Sequence, residues 1–218
     1  MTENSYFFNY FRIFHLGDVI ELNPTVDTKN LIDQLEPFKD KWFKYNPRKL
    51  IPRDGLSIIN DSGELIAGPD LDSLPQYNAE NRTTLSEVDF RTPTPVFHTA
   101  EINKLLSPMT SFAARTHVLR LPPGGYFPPH RDEALREERD RVLSFRLIMA
   151  LQNCEYPNVQ FMLDNKFVEF KPGKLYVVNT FKSHSLVNMS SQPSYWLVIN
   201  GIIDDASVDY VHMNMSIA

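Results

Sequence analysis

The chain contains a single cysteine, Cys154, in 218 residues. That excludes an internal disulfide and any cysteine-rich zinc site. Apolar runs are short, and none approaches the roughly 20 residues of a membrane span. Residues 1–10 hold no basic segment followed by an apolar one, so no secretory leader is expected there. Positive charge is in deficit, with 22 Lys and Arg against 27 Asp and Glu and a formal net charge of −5. No global basic field exists to hold a polyanion, and nucleic-acid binding is disfavoured short of a local patch. Glycine (8) and proline (16) are too few for a low-complexity or collagen-like chain. No internal repeat of 20–50 residues is visible. These absences lead to an expectation of a cytoplasmic protein without membrane contact, its oligomeric state left open.

What is present is core-forming. Hydrophobic residues make up 42% and aromatic residues 12%, with 15 Phe and 9 Tyr. The length suits one domain, or one core with a substantial extension. The texture changes near residue 108, which divides the chain into an N-terminal α+β extension (1–107), a core (108–203) and a C-terminal tail (204–218).

In the extension, Tyr6 to Leu16 is aromatic-rich and reads as an edge strand. Leu31, Ile32, Leu35, Phe38, Trp42 and Phe43 share a helix face within Thr28 to Tyr45, with Asp27 or Thr28 as cap. Pro37 should kink or split that helix. Gly55–Ile59, Asp61-Ser-Gly63 and Glu64–Ala67 form a hairpin candidate, and Pro95 to Leu106 a short helix. The core reads as strands at Thr116–Leu121, Val142–Gln152, Val159–Leu163, Lys166–Phe170, Lys174–Asn179, His184–Asn188 and Tyr195–Gly201. Short strands at this spacing, with turns at Asp164-Asn165 and Pro172-Gly173, predict a mostly β fold with flanking helices: a sandwich or jelly roll.

Two of the six histidines stand in a special setting. His130 and Asp132 form an H-x-D pair directly after Leu121-Pro-Pro-Gly-Gly-Tyr-Phe-Pro-Pro129, and His184 follows 54 residues later. Side chains at i and i+2 face the same side of a strand. His130 and Asp132 can therefore meet one ion, and a neighbouring strand can bring His184 as third ligand. Two imidazoles and a carboxylate on one face, with open positions opposite, suit non-haem Fe(II). His15, His98, His117 and His212 lack partners at ligand spacing and read as structural or surface residues.

Several blocks resemble the aspartyl/asparaginyl β-hydroxylase-like branch of the 2-oxoglutarate- and Fe(II)-dependent oxygenases. They are Arg120-Leu-Pro-Pro-Gly-Gly-Tyr-Phe-Pro-Pro-His-Arg-Asp132, Arg146-Leu-Ile-Met-Ala-Leu151, Pro172-Gly-Lys-Leu-Tyr-Val-Val-Asn179 and Ser183-His-Ser-Leu-Val-Asn188, spread over roughly residues 112 to 202. The resemblance implies a double-stranded β-helix (cupin-like jelly-roll) core. It also implies Fe(II), 2-oxoglutarate and O2 as cofactor and cosubstrates, with His130, Asp132 and His184 as iron ligands. The implied reaction is hydroxylation of an unactivated C–H bond of an amino acid, free or in a polypeptide, with succinate and CO2 released.

Retention of Asp132 makes the chain look more like the free-proline hydroxylases of that branch. It departs at Ser194, where family members usually place an arginine for the distal carboxylate of 2-oxoglutarate; no Lys or Arg follows His184. A dianion buried without a cation is costly. Arg146, alone in an apolar run, is the first candidate for that cation and Arg120 the second. Tyr176 and Asn179 are candidates for a hydrogen bond to cosubstrate. On the substrate side, Arg53 beside Gly55 can present a guanidinium to a carboxylate. The charged segment Arg131 to Arg141 reads as a loop over the site mouth, with Arg141 a substrate candidate. The competing reading is a cupin-like metal-binding or sensing domain without turnover. A cupin-type enzyme that uses no 2-oxoglutarate fits less well, since such sites usually carry three or four histidine ligands.

Overall fold

The computed structural model describes residues 3–132, 136–137, 141–142 and 144–216, the side chains of 3–7, 136–137 and 141–142 excepted. The helices are α1 (Glu3–Phe14), α2 (Thr28–Leu35), α3 (Leu74–Asn81), α4 (Ala100–Leu106) and α5 (Asp205–Asn214). The strands of the N-terminal half are β1 (Val19–Thr25), β2 (Phe43–Lys44), β3 (Asp54–Asn60) and β4 (Thr92–Pro93). The core supplies β5 (Ala113–Leu121), β6 (Tyr126–His130), β7 (Arg136–Glu137), β8 (Arg141–Val142), β9 (Ser144–Gln152), β10 (Val159–Leu163) and β11 (Lys166–Val168). It closes with β12 (Lys174–Val178), β13 (His184–Asn188) and β14 (Ser194–Ile202).

One sheet runs in the order β1-β12-β9-β14-β5-β3-β2, and the facing sheet in the order β11-β10-β13-β6. From β5 onward, setting aside the short β7–β8 pair, the strands alternate between the sheets except at β10 and β11, which pair as a hairpin in the smaller one, and all pairing is antiparallel. That is a double-stranded β-helix of eight strands. The first three strands of the chain extend the larger sheet on both edges.

The side-chain period of two builds two cores from each central strand. On β9, Leu147, Met149 and Leu151 face the helices, whereas Ile148 and Ala150 face the barrel interior. On β14, Leu197 and Ile199 face outward and Trp196 inward. Strands covered on both faces read as unbroken apolar runs, which is why β9 and β14 stand out in the sequence. The smaller sheet is solvated on one face, and β10 and β13 alternate buried and half-buried positions.

Several local expectations are corrected. Residues 6–16 are not a strand but most of α1. Tyr10, Ile13 and Phe14 lie at helical spacing, Ile13 is fully buried, and Tyr10 packs on Phe14 and Phe181. The hairpin after β3 does not form. Asn60 Oδ1 accepts the amides of Ser62 and Gly63, and its Nδ2 donates to Glu64 O at 2.8 Å, so the turn closes on itself. The edge of β3 pairs instead with Thr92–Pro93. Residues 205–214, expected as a tail, form α5 behind a capping box of Asp204 and Ser207. Pro37 does end α2: a 3₁₀ turn over Glu36–Lys41 follows it, and Asp27 is the N-cap.

Entry to β6 is set by the turn Pro122-Pro-Gly-Gly125, closed by Gly125 N donating to Pro122 O at 2.8 Å. Gly124 has φ +76°, which a side chain would strain. Gly125 is held against the neighbouring loop: a Cβ there would lie 2.5 Å from the carbonyl oxygen of Pro52. Among the described residues no helix is long and apolar enough to cross a membrane.

Candidate metal centre

His130 ends β6, and His184 opens β13 directly opposite it in the register. Asp132 lies two residues beyond the strand, held by its backbone amide donating to Thr180 O at 3.0 Å. The three side chains come together, one ligand atom of each within 4.8 Å of the others. Asp132 Oδ1 lies 3.6 Å from His130 Nε2 and 3.8 Å from His184 Nε2.

The hydrogen bonds behind the rings decide what faces the centre. His130 Nδ1 lies 2.7 Å from Pro128 O, and His184 Nδ1 lies 3.1 Å from Lys182 O. A carbonyl oxygen only accepts, so each Nδ1 carries the proton and donates. Burial lowers the pKa of His184, outweighing the nearby Asp132 carboxylate, and keeps its ring neutral. With Nδ1 as the donor, each ring in its neutral form turns the Nε2 lone pair toward Asp132 Oδ1. Lone pairs facing one another across 3.6–3.8 Å want a cation. The donor set of two neutral imidazoles and one carboxylate fits Fe(II).

Asp132 stays charged. Burial works against its ionisation, but the Arg146 guanidinium holds its pKa below the usual carboxylate range. Arg146 Nε donates to Asp132 Oδ2 at 3.0 Å, which leaves Oδ1 toward the imidazoles. Arg146 Nη1 is buried with no hydrogen-bond partner.

Two cavities meet at the triad. The inner one, about 80 Å³, lies inside the barrel, walled by Leu119, Ile148, Phe161, Leu186, Trp196 and Val198. His117 also lines it, 2% exposed, with both ring nitrogens lacking a partner; burial, helped by Arg115 and Arg146, lowers its pKa well below the ordinary value. The outer cavity, about 300 Å³, is bounded by Tyr45, Lys49, Arg53, Leu74, Pro75 and Phe127. Arg146, Asp132 and His130 line both.

Of the residues singled out in the sequence, Arg146 and Arg53 line these cavities beside the triad. Four others do not. Arg120 donates to Asp54 Oδ2 from Nε and Nη2 at 3.1 and 2.8 Å and lies over Trp42. The Tyr176 hydroxyl donates to Glu21 Oε2 at 3.1 Å and accepts the Lys171 amide. Asn179 accepts from the Tyr10 hydroxyl and donates to Asp18. Ser194 is fully buried and accepts from Trp196 Nε1 at 3.3 Å. Each has its polar group committed elsewhere in the fold. The side chain of Arg141, and most of the charged segment before it, lie outside the described residues. His117, read from the sequence as a structural or surface residue, is instead buried in the cavity lining; the signal was its place at i+2 from Arg115 and i−2 from Leu119, on the inward face of β5.

No family model matches the chain, and no curated protein matches it. Among solved structures it is similar to a Pseudomonas putida prolyl-4-hydroxylase, at 13% identity over 93% of this chain and 100% of that one, with a TM-score of 0.47. It is similar also to the viral collagen prolyl hydroxylase of Paramecium Bursaria Chlorella virus-1 in its 2OG complex, at 10% identity, 86% and 97% coverage and a TM-score of 0.45. A predicted oxalate decarboxylase from Thermotoga maritima matches at 21% identity over 44% of this chain and 73% of that one, with a TM-score of 0.33.

Proposed function

We propose that the chain is an Fe(II)- and 2-oxoglutarate-dependent dioxygenase that hydroxylates an unactivated C–H bond of an amino acid, free or within a polypeptide. The observation that carries this reading is the convergence of two bare imidazole nitrogens and one carboxylate oxygen at the mouth of a double-stranded β-helix. When bound, Fe(II) with 2-oxoglutarate and O2 supplies an oxidant able to attack such a bond, releasing succinate and CO2.

The chain's own residues do the rest. His130, Asp132 and His184 hold the ion from one side. The carbonyls of Pro128 and Lys182 keep both rings in the ligating tautomer, and Arg146 keeps Asp132 Oδ1 turned inward. The free Nη1 of Arg146 and the neutral ring of His117 offer donors to a carboxylate of the cosubstrate in the inner cavity. The apolar wall there excludes water.

The test is anaerobic titration of Fe(II)-loaded protein with 2-oxoglutarate, following the visible metal-to-ligand charge-transfer band. The band should appear, vanish in His184→Ala, and need at least tenfold more 2-oxoglutarate in Arg146→Gln. The absence of a basic residue at Ser194 favours a second reading, a metal-binding domain without turnover. No band at millimolar 2-oxoglutarate would select it.

A further inference from the structure

The outer cavity holds a charge that the proposed chemistry does not use. Three arginines are buried among the described residues. Arg115 is paired with Glu87 and Arg146 with Asp132. Arg53, just ahead of β3 and 5% exposed, has neither a carboxylate nor a side-chain hydrogen bond among the described residues, and its Nε is buried without a partner. Its guanidinium lies 4.1 Å from the centre of the Phe127 ring and 5.4 Å from that of Tyr45. Such ring contacts offset only part of the cost of burying a cation. A fold that keeps an unpaired guanidinium in a cavity is built for an anion to arrive.

The place of that anion is defined. Phe127 contacts both Arg53 and the metal-ligand candidate His130, its ring centre 6.2 Å from that of His130 at an interplanar angle of 25°. Whatever Arg53 grips therefore shares a cavity with His130 and Asp132. The planar fork matches a carboxylate with two parallel hydrogen bonds. Tyr45, Leu74, Pro75 and Phe127 give the cavity apolar walls for the remainder of a small molecule.

We propose that Arg53 anchors the carboxylate of the prime substrate, and that this substrate is a small free carboxylic acid of amino-acid size. A residue inside a polypeptide has its carboxyl group tied up as a neutral amide and would leave Arg53 unpaired. The word substrate rests on the oxygenase reading; the binding site does not.

The experiment uses full-length protein loaded with Ni(II), which turns nothing over. Calorimetric titration is made with the twenty proteinogenic amino acids, their carboxamides, and N-acetylated aspartate and glutamate amides as stand-ins for peptide side chains. At least one free acid should bind saturably, with its carboxamide at least tenfold weaker. Arg53→Gln should lose tenfold or more in that affinity, and Arg53→Lys less, while both retain Ni(II) binding. If Arg53→Gln does not fold by circular dichroism, Arg53→Lys carries the comparison.

A panel without a binder overturns the proposal, as does equal binding of acid and carboxamide, or affinity indifferent to both Arg53 variants. Preference for the blocked aspartate or glutamate overturns it in favour of a peptide side chain. Loss of the 2-oxoglutarate band in the Fe(II)-loaded Arg53 variant would make Arg53 a cosubstrate anchor and also overturn it. Binding through Arg53 in a protein that gives no such band sustains the carboxylate site and removes the oxygenase reading alone.

Discussion

At the scale of single residues, buried charge is the recurring theme, and Asp70 shows it away from the metal centre. It is fully buried; the Ser57 hydroxyl donates to Oδ2, and Oδ1 has no partner. Burial pushes its pKa up from 3.8 to about 6, against the pull of Ser57 and Arg115. The folded chain then holds this proton more tightly than the unfolded one. Stability is therefore lost as pH rises from about 4 to about 6, by about 3 kcal/mol from this group. Asp70→Asn should be more stable than the parent at pH 7, the gap closing toward pH 4, in urea denaturation at both values. A gap independent of pH would show that Asp70 is ionised throughout. The grouping of His130, Asp132 and His184 was legible because H-x-D is a local pattern and the block around His184 carries its own motif. The structural partners of Arg120, Tyr176 and Asn179 were not, since Asp54, Glu21 and Asp18 lie far along the chain, whereas Ser194 is taken up locally by Trp196.

At the scale of elements, pattern and propensity competed, and packing decided. The core strands were readable because period-two alternation and buried runs leave strong marks: Val159–Leu163 and His184–Asn188 match to the residue. The first helix was not, because its aromatic side chains favour strands while their spacing favours a helix. β1 was missed because its alternation, with Ile20 and Leu22 buried, is short and runs into Pro24; its strand is completed by pairing with β12. Where a cap is explicit, the sequence alone is enough. Asp27 Oδ1 accepts the amide of Asn30 at 3.0 Å and starts α2. Asp27→Ala should cost about 1 kcal/mol, a fall of roughly 2–4 °C in Tm for a chain of this size. An unchanged Tm would mean that packing of Leu31 and Leu35 alone holds the helix.

At the scale of the whole molecule, the candidate metal centre joins strands distant in sequence. His130 and His184 come from neighbouring strands of the smaller sheet, with β6 at its edge. An ion bound there stabilises only the folded chain. Fe(II) or Ni(II) at a hundredfold excess over Kd should raise Tm by roughly 5–10 °C. A chelator should reverse the gain, and His184→Ala should lack it; an equal gain in that variant would place the ion elsewhere. The close approach of Gly125 to Pro52 carries this coupling to the outer cavity. The turn that launches the ligand strand and the loop that carries Arg53 touch backbone to backbone. On the proposed reading, a new loop grafted over residues 46–53 to change substrate preference should therefore also shift metal affinity. Substrate fit and metal loading would then be two readings of one backbone contact.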